Sequence, residues 1–569
     1  MQRFFTFFFG FWFLVYLGQS ADKPIPAKTS TPKGTAKFEA ELMAQFKAFA
    51  IRKREYAKKI AKEKKIAPPP VVWEFFDEAN AGNFAKAQKH FKNIRQLKGL
   101  QDNPKIPVPK KWREIVQILW EPILEVLGAM EQMDRWHTKF LLLYMRDIVG
   151  SIPKDSIYFG GTDPGRFAIT LGSNSHEKAG PFFTITQNAF ADGTYLQYLR
   201  ELYGKRIYIP TVKDNQDAFT EYIQNAQKRM FTGGLAPGEN VTLKYNFKCP
   251  QCDTPHLISI DQSRLEFYKK MTAQGGLRCP KDNTLMPSPA PQVHVRGNGS
   301  LLTIIALLSK KIFDKNPEYD FYLEESFPLP WMMPHMVPHG LIFKLERKPL
   351  KELHPDHIAQ SRKDWQKYMA LSVGDAVVKP ETTVAELCKW VETIYIKGDH
   401  KNFKGDALFL KGKKEVMEKP EFRKGPPFSE QKAFSKMRVA QAVLFAWRES
   451  TTTDAELKTE YTKEADFAFR QAFALGPTNT EVAFKYVNFL SIKSRFDDAK
   501  LIARTLKATD PNSKFAQILL TGTLRDQERQ LVAKRDYVKA VEVALELVKI
   551  DKENKDQHMK RIEYYRKLK

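Results

Sequence analysis

The 34 residues from Thr478 to Pro511 read TNTEVAFKYVNFLSIKSRFDDAKLIARTLKATDP and end in the apolar-to-proline stop Ala-Thr-Asp-Pro. A similar motif, Ala-Leu-Gly-Pro, ends at Pro477, so the motif that ends a helix recurs after 34 residues. The second half of the stretch carries aromatic, small and apolar residues on one helical face, namely Phe496, Ala499, Ala503 and Leu506. This period predicts an array of helix pairs, each burying its apolar face against the next.

The period and the placing of the small residues resemble a tetratricopeptide repeat. Two flanking stretches are similar to further repeats, the second with a longer inter-helix loop: Ala465, Phe469, Ala472, Phe473 and Pro477, and then Tyr537, Ala540, Ala544 and Leu547. The resemblance implies a short array over residues 429–569 that binds a protein partner and performs no chemistry. An ordinary helical domain with coincidental spacing is the alternative.

The N-terminus has the pattern of a secretory signal. Arg3 precedes an apolar run from Phe4 to Leu17, and small residues follow at Gly18 and Ser20. The run is shorter than the roughly 20 residues that span a bilayer as a helix, so a retained anchor is the weaker alternative. We therefore expect residues 1–20 to be removed and the mature chain to be exported, to the periplasm or cell envelope.

The formal net charge is +25, mostly from lysines spread along the chain. The densest stretch is Arg52 to Lys65, where eight of fourteen residues are basic, within a helix predicted from Phe38 to Ile66. Export and the lack of an aromatic ladder argue against nucleic acid as the partner. The stretch is expected to be a solvated helix face, or else a contact with an anionic membrane surface or envelope polymer.

Changes in composition divide the rest of the chain. Between Ser156 and Leu345, short apolar strands alternate with helical stretches, which predicts an α/β domain with a mainly parallel, Rossmann-like sheet. The expected strands are 156–159, 182–186, 206–209, 320–323 and 341–345, and the expected helices 193–203, 217–229 and 301–313. The predicted segments are a basic lead (21–70), a helical segment (71–150), the α/β domain (151–345) with an insert (241–288), a connector (346–428) and the repeats (429–569).

The first candidate site lies at the carboxyl edge of the predicted sheet. A glycine-rich turn, Gly160 to Gly165, follows the first strand, and such turns let a ligand phosphate or carboxylate approach backbone N–H groups. Polar residues after three strands are expected to converge there as a ligand site: Thr162, Asp163, Arg166, Gln187, Asn188, Asp192, Glu324 and Glu325. The alternative is local and structural, with the glycines in a tight turn, Asp163 capping a helix and Arg166 paired with a carboxylate. No catalytic residue can be named.

Four stretches carry a wider family resemblance. They are Ser156–Phe167 (SIYFGGTDPGRF), Phe183–Tyr195 with its Thr-Gln-Asn and Asp-Gly-Thr-Tyr elements, and Tyr322–Ser326 followed by Pro338–Leu341. Together they resemble the soluble C-terminal half of an uncharacterised family of large bacterial membrane proteins. That family is similar to protein O-mannosyltransferases, and its tails often end in tetratricopeptide repeats. Its multi-pass membrane half has no counterpart here, where a signal peptide is expected instead, and this argues against transferase activity.

The insert carries the second candidate site. Cys249-Pro250-Gln251-Cys252 and Cys279-Pro280-Lys281-Asp282 are separated by 26 residues, which is the knuckle spacing of a zinc ribbon. Asp282 stands where the fourth cysteine would be, and His256 is a second choice for that ligand. Structural zinc on three thiolates and one harder ligand is one interpretation; a disulfide or a metal-free remnant is the other, because export would place the thiols in an oxidising compartment.

Two functions follow. The first is a non-enzymatic exported protein whose repeats bind a protein partner. The second is an accessory or degenerate enzyme of surface glycosylation that binds a polar or phosphorylated sugar at the sheet edge.

Overall fold

A computed structural model describes residues 36–99, 109–173, 181–235, 239–296, 299–324, 329–411, 429–511 and 513–568. The predicted signal sequence, the start of the lead and Glu325 lie outside these residues. The chain is mostly helical with small mixed sheets, and it folds into two compact units. The smaller unit is Thr186–Glu318; the larger contains the described residues up to Ile185 and those from Tyr319 onward. The boundary therefore falls inside the α/β domain predicted over 151–345.

The N-terminal part of the larger unit is helical. Its elements are α1 (Ala36–Glu63), α2 (Pro70–Ala81), α3 (Phe84–Lys98), α4 (Lys110–Ile118), α5 (Trp120–Arg135) and α6 (Thr138–Ser151). The turn between α2 and α3 has Gly82 at φ 83°, and its N–H binds the carbonyl of Ala79. Ala87 and Phe91 of α3 are buried, within the helical segment predicted over 71–150.

The larger unit holds one five-stranded sheet. Its strands are β1 (Ile157–Gly160), β2 (Phe183–Thr186), β8 (Phe321–Leu323), β9 (Met336–His339) and β10 (Ile342–Leu345), in the order β2-β1-β8-β10-β9. Strands β1 and β8 are parallel, whereas β10 is antiparallel to both β8 and β9. The sheet is thus mixed, and the mainly parallel prediction is met only in part. A tight β9–β10 hairpin around Gly340 (φ 56°) adds the antiparallel edge.

The smaller unit carries the remaining strands. Its elements are α8 (Gly193–Tyr203), α9 (Val212–Thr232), β3 (Asn240–Lys248), β4 (Pro255–Ile260), α10 (Leu265–Ala273), β5 (Gly276–Arg278), β6 (Leu285–Pro287), β7 (Gln292–Arg296) and α11 (Gly299–Lys315); the short α7 (Ile169–Ser173) precedes them in the larger unit. Strands β4, β3 and β7 form one sheet, and β5 and β6 form another. Val241 pairs with Val295, so the insert extends beyond the predicted limit at Ser288.

The strand predicted over 206–209 is wrong, because those residues are not in a sheet. The backbone of Tyr208 is instead paired by one side chain: its N–H donates to Asn316 Oδ1 (2.7 Å), and its carbonyl accepts from Asn316 Nδ2 (3.1 Å). A buried amide side chain supplies both hydrogen bonds that a neighbouring strand would supply. The apolar run therefore packs without forming a ladder.

The C-terminal part of the larger unit is an array of antiparallel helices. After α12 (Pro355–Ser372), α13 (Val384–Val391) and α14 (Ala407–Lys411), the helical array comprises α15 (Ser429–Thr451), α16 (Ala455–Leu475), α17 (Thr480–Ile492), α18 (Phe496–Thr509), α19 (Lys514–Ala533), α20 (Tyr537–Ile550) and α21 (Lys555–Lys567). The four predicted core residues of α18 are buried.

The turns within successive pairs match. Ser494 between α17 and α18 and Arg535 between α19 and α20 are left-handed, with φ of 59° and 60°. Helix α19 starts 34 residues after α17, but α19 has 20 residues and α17 has 13. The longer inter-helix loop predicted for the last unit is therefore wrong: the additional residues extend its first helix by about two turns.

Candidate functional site

The glycine-rich turn after β1 binds a side chain of the protein itself. The Glu324 carboxylate, which is 1 % exposed, accepts hydrogen bonds from the backbone N–H groups of Gly161 (2.5 Å) and Thr162 (2.7 Å) and from the Thr162 hydroxyl. Tyr144 donates a further bond of 3.4 Å. The N–H groups that the sequence offers to an external anion are thus used by an internal one.

Close contacts in the turn leave no room for a side chain on two of its glycines. A Cβ atom on Gly165 would lie 1.9 Å from Glu324 Cδ, and one on Gly160 would lie 2.7 Å from the Gly165 carbonyl oxygen. The Gly165 N–H also donates to Thr162 Oγ1 (3.1 Å). The close approach of backbone and carboxylate explains the two glycines without an external ligand.

Arg166 and Asp163 also belong to the predicted ligand set. The structure gives Arg166 a partner within the protein, but it gives Asp163 no capping bond. Arg166 forms an ion pair with Glu121 (2.7 Å) and lies over the Phe167 ring. Its expected carboxylate partner is therefore Glu121 of α5. Asp163 stands at the start of the π-helical turn Pro164–Ala168 but makes no side-chain capping bond, so it does not cap this turn in the way that the local alternative expects.

A second buried ion pair lies in the same part of the larger unit, between Lys53 of α1 and Glu125 of α5. Lys53 is 2 % exposed, and burial lowers its pKa although Glu125 opposes the shift. The basic stretch 52–65 is therefore not wholly a solvated face. Its solvated lysines are Lys58, Lys59, Lys62, Lys64 and Lys65. Lys53 lies on the same helical face as the apolar residues Ala57 and Ile60. This spacing is the sequence signal that indicates burial of Lys53.

The other sheet-edge residues belong to the smaller unit. Gln187 is buried and opens a short 3₁₀ turn, whereas Asn188 is exposed. Asp192 caps α8, since its Oδ1 accepts from the N–H (2.8 Å) and hydroxyl (2.6 Å) of Thr194. Asp192 thus has a structural role, and the convergence of these residues with Glu324 stays a prediction.

The metal-type knuckles are the turns of two β-hairpins in the smaller unit. Cys249 follows β3, and Cys279 follows β5. In each turn the cysteine N–H binds a carbonyl five residues on, with distances of 3.1 Å to Thr254 and 2.8 Å to Thr284. Asp253 and Asn283 have left-handed backbones, with φ of 59° and 61°. The two knuckles therefore have the same backbone geometry, although the second lacks its last cysteine.

These turns bring four ligand atoms together. One atom each from Cys249, Cys252, Cys279 and Asp282 lies within 4.8 Å of the other three. Cys252 Sγ is 3.6 Å from Cys279 Sγ, and Cys249 Sγ is 3.3 Å from Asp282 Oδ2. A tetrahedral ion with metal–sulfur bonds of about 2.3 Å holds sulfur ligands roughly 3.8 Å apart. The donor set and its spacing therefore fit a tetrahedral metal ion.

The geometry favours Asp282 over His256 as the fourth ligand. His256 Nε2 lies 3.8 Å from Cys279 Sγ but is not part of the four-residue cluster. The N–H of Thr284 donates to Asp282 Oδ1 (3.0 Å) and orients the carboxylate. The Thr284 hydroxyl also donates to Gln251 (2.6 Å), which ties the two knuckles together. Such outer contacts fix ligand orientation in metal sites.

The thiols have different acidities. Burial raises the pKa of Cys249 to about 11, whereas the hydrogen bond with the Thr254 hydroxyl lowers the pKa of Cys252. The backbone N–H of Thr284 lowers the pKa of Asp282. Cys249 is therefore protonated at neutral pH without a metal, and metal binding would release that proton.

The helical array has one end that is integrated into the larger unit. Most residues of α15 are buried, including Arg438. The Arg438 guanidinium donates to Gln471 (2.8 Å) and Gln441 (2.9 Å) and lies over the ring of Trp365, which the predicted connector supplies. Burial lowers the pKa of Arg438 to about 9. Residues 355–372 are thus part of the core as well as a connection.

Later helices of the array expose apolar side chains. Ile492 at the end of α17 is 50 % exposed, and Ile518 in α19 is 60 % exposed. The rings of Phe484 and Phe515 pack 6.1 Å apart between the same two helices. Two exposed isoleucines and two partly exposed phenylalanines thus lie on the first helices of these two pairs, and these four residues are named here the α17–α19 strip.

No helix among the described residues is long and apolar enough to cross a bilayer. In comparisons with known proteins, the chain matches no family model and no curated protein. The resemblances to tetratricopeptide repeats and to the mannosyltransferase-like family thus stay predictions.

Proposed function

We propose that the chain is an exported, non-enzymatic protein whose tetratricopeptide-like helical array captures a protein partner at the cell envelope. The observation that carries the proposal is the α17–α19 strip, because exposed apolar side chains on adjacent helices of an array mark interaction surfaces. Helices α15 and α16 are engaged with the rest of the larger unit, so partner binding is assigned to α17–α21.

The alternative of a sugar-phosphate site at the sheet edge receives less support. The N–H groups of Gly161 and Thr162 are satisfied by Glu324. An incoming phosphate would have to displace a buried carboxylate and leave that charge unpaired, which is strongly unfavourable. The glycine turn is therefore proposed to be structural.

The four-residue cluster is proposed to hold a structural zinc ion in a ribbon-like insert. Three thiolates and one carboxylate, Asp282, would close the coordination sphere and leave no position for substrate. The ion would join the β3–β4 hairpin to the β5–β6 hairpin, whose strands have only three residues each. Its role would be to stabilise the smaller unit.

Site-specific crosslinking tests partner capture. A photoreactive benzoylphenylalanine replaces Ile518 in the intact chain, and a second version carries it at Leu257, an apolar residue of β4 that is 69 % exposed. Irradiation in cells is expected to give a discrete heavier adduct from position 518 and none from position 257. Adding Ile492→Glu to the position 518 version should remove the adduct. Equal adducts from both positions, or none from either, would contradict the proposal.

A further inference from the structure

A small pocket lies beside α13, outside both sites considered so far. Its volume is about 290 Å³, which is close to the lower limit of roughly 300 Å³ for small-molecule pockets. It is lined by Glu386, Lys389, Trp390, Thr393, Ile394, Asp399 and Asn402. All of these belong to the larger unit. The size suits one small ring.

An irregular helix end shapes the pocket. Helix α13 continues into the π-helical turn Glu392–Ile396, closed by the bond from Lys397 N–H to the Glu392 carbonyl (2.9 Å). The chain then turns at Gly398, with φ of 64°. Single π turns are uncommon and are frequent at functional sites. Thr393 and Ile394 of this turn line the pocket together with Trp390.

The π turn is held from behind. Tyr395 donates to the carbonyl of Ala474 in α16 (3.2 Å), and His400 Nε2 lies 3.1 Å from the Ile394 carbonyl oxygen. The pocket wall is thus braced against the helical array. A preformed wall lowers the ordering cost of binding a ligand.

The polar groups around the pocket select the class of ligand. Glu386 Oε2 accepts from the Thr383 N–H (2.7 Å), and Asp399 Oδ1 accepts from the Lys401 N–H (3.2 Å). The second oxygen of each carboxylate keeps acceptor capacity. Lys389 adds a cationic donor, and Asn402 adds both a donor and an acceptor.

This mixture disfavours a simple ion. Two carboxylates repel an anion, and the Lys389 ammonium repels a cation. Neutral hydroxyl groups both donate and accept, so they match donors and acceptors placed side by side. The half-buried Trp390 indole offers an apolar face for the C–H side of a ring.

We propose that the Trp390 pocket, defined by the seven lining residues, binds one ring of a neutral saccharide. The ring would lie against Trp390, with its hydroxyl groups hydrogen bonded to Asp399, Asn402 and Glu386. The proposal is independent of partner capture by the α17–α19 strip, since none of these residues belongs to the array.

Fluorine NMR of the intact chain tests the proposal. The chain has nine tryptophans; after labelling with 5-fluorotryptophan, the Trp390 resonance is identified by its loss in Trp390→Phe. Glucose, mannose, galactose and N-acetylglucosamine are titrated separately. At least one is expected to shift the Trp390 resonance saturably. Asp399→Asn should weaken that binding about tenfold, the size expected for losing a charged hydrogen-bond acceptor.

Lys397→Ala is the matched control, because the Lys397 side chain is near the pocket but does not line it. This variant should bind the sugar as tightly as the wild type. The remaining tryptophan resonances report whether Asp399→Asn is folded. Choline and inorganic phosphate are titrated as cationic and anionic probes. A saturable response to either ion without a response to any sugar would overturn the proposal. So would the absence of a saturable response to every probe in a folded chain.

Discussion

Glu324 packs so closely against Gly165 that the glycine has no room for a side chain: a Cβ atom there would lie 1.9 Å from the Glu324 carboxyl carbon. The carboxylate cannot move away freely, because three hydrogen bonds from the turn hold it in a buried position. The pair therefore joins two segments that are far apart in the sequence, and it defines the structure of the turn after β1.

Gly165→Ala is expected to lower the free energy of unfolding of the larger unit by about 2 kcal/mol or more, since overpacking alone costs about 1–3 kcal/mol and the carboxylate would lose bonds. Gly150→Ala is the control, because no atom of the described residues lies within 4 Å of the position that its Cβ would take and it is in helix α6. That variant should be neutral or slightly stabilising. Urea unfolding of both variants measures the difference, and equal stabilities would refute the role of the close contact.

Zinc binding is expected to depend on Asp282 and not on His256. Cys279→Ala should abolish binding of the single ion, and Asp282→Ala should weaken it about tenfold or more. His256→Ala should keep one zinc per chain. Native mass spectrometry gives the stoichiometry, and competition with a chelator gives the relative affinities.

The opposite order, with His256 essential and Asp282 dispensable, would assign the fourth ligand to the histidine. A wild-type protein that contains a Cys252–Cys279 disulfide and no metal after isolation from its natural compartment would support the oxidised alternative. Peptide mapping without reduction detects that bond.

Asp551 should stabilise the end of the array in a pH-dependent way. Burial opposes its ionisation, but hydrogen bonds from Asn554, His558 and Arg525 prevail and lower its pKa to about 2. A lowered carboxyl pKa gives stability that is present above about pH 4 and is lost as pH falls toward 2. Asp551→Asn is therefore expected to cost about 1 kcal/mol at neutral pH, after allowance for solvent screening.

Hydrogen exchange of the α21 peptides, corrected for intrinsic rates, measures this local stability. The gap between Asp551→Asn and wild type should narrow as pH falls from about 4 toward 2. Asp556→Asn, an exposed position of the same helix, is the control and should exchange like wild type. A gap that is constant with pH would show that the carboxylate charge is not responsible.

If the basic stretch 52–65 contacts an anionic surface, retention of the protein on that surface should depend on the exposed lysines of the stretch. The variant Lys62→Gln, Lys64→Gln, Lys65→Gln is expected to lose part of its sedimentation with phosphatidylglycerol vesicles at low salt, because each lysine near the surface contributes about 1 kcal/mol. The matched variant Lys552→Gln, Lys555→Gln, Lys560→Gln removes the same charge from the other end of the chain. Equal losses in both variants would indicate a nonspecific effect of net charge.

Local patterns predicted much of this protein. The helix predicted over 193–203 has these bounds in the structure, and the array follows from the spacing of Ala499, Ala503 and their neighbours. The cysteine spacing predicted a cluster that the structure brings together, with Asp282 included. The alternating Val241, Leu243, Tyr245 and Phe247 of β3 carry a strand signal that is not among the expected strands.

Other features could not be deduced from local sequence. Glu324 lies more than 160 residues from the turn whose N–H groups donate to it, and Asn316 lies 108 residues from Tyr208. Gln441 lies 76 residues from Trp365, whose indole N–H donates a hydrogen bond to it. In each case a polar group is buried because a distant segment supplies its partner. The helices, the repeat period and the metal-type knuckles are predictable from local sequence, since these depend on residues a few positions apart. Whether a charged or amide side chain faces solvent, a ligand or the core depends on the folded structure, because the energy of burying such a group depends on partners that chain proximity does not specify.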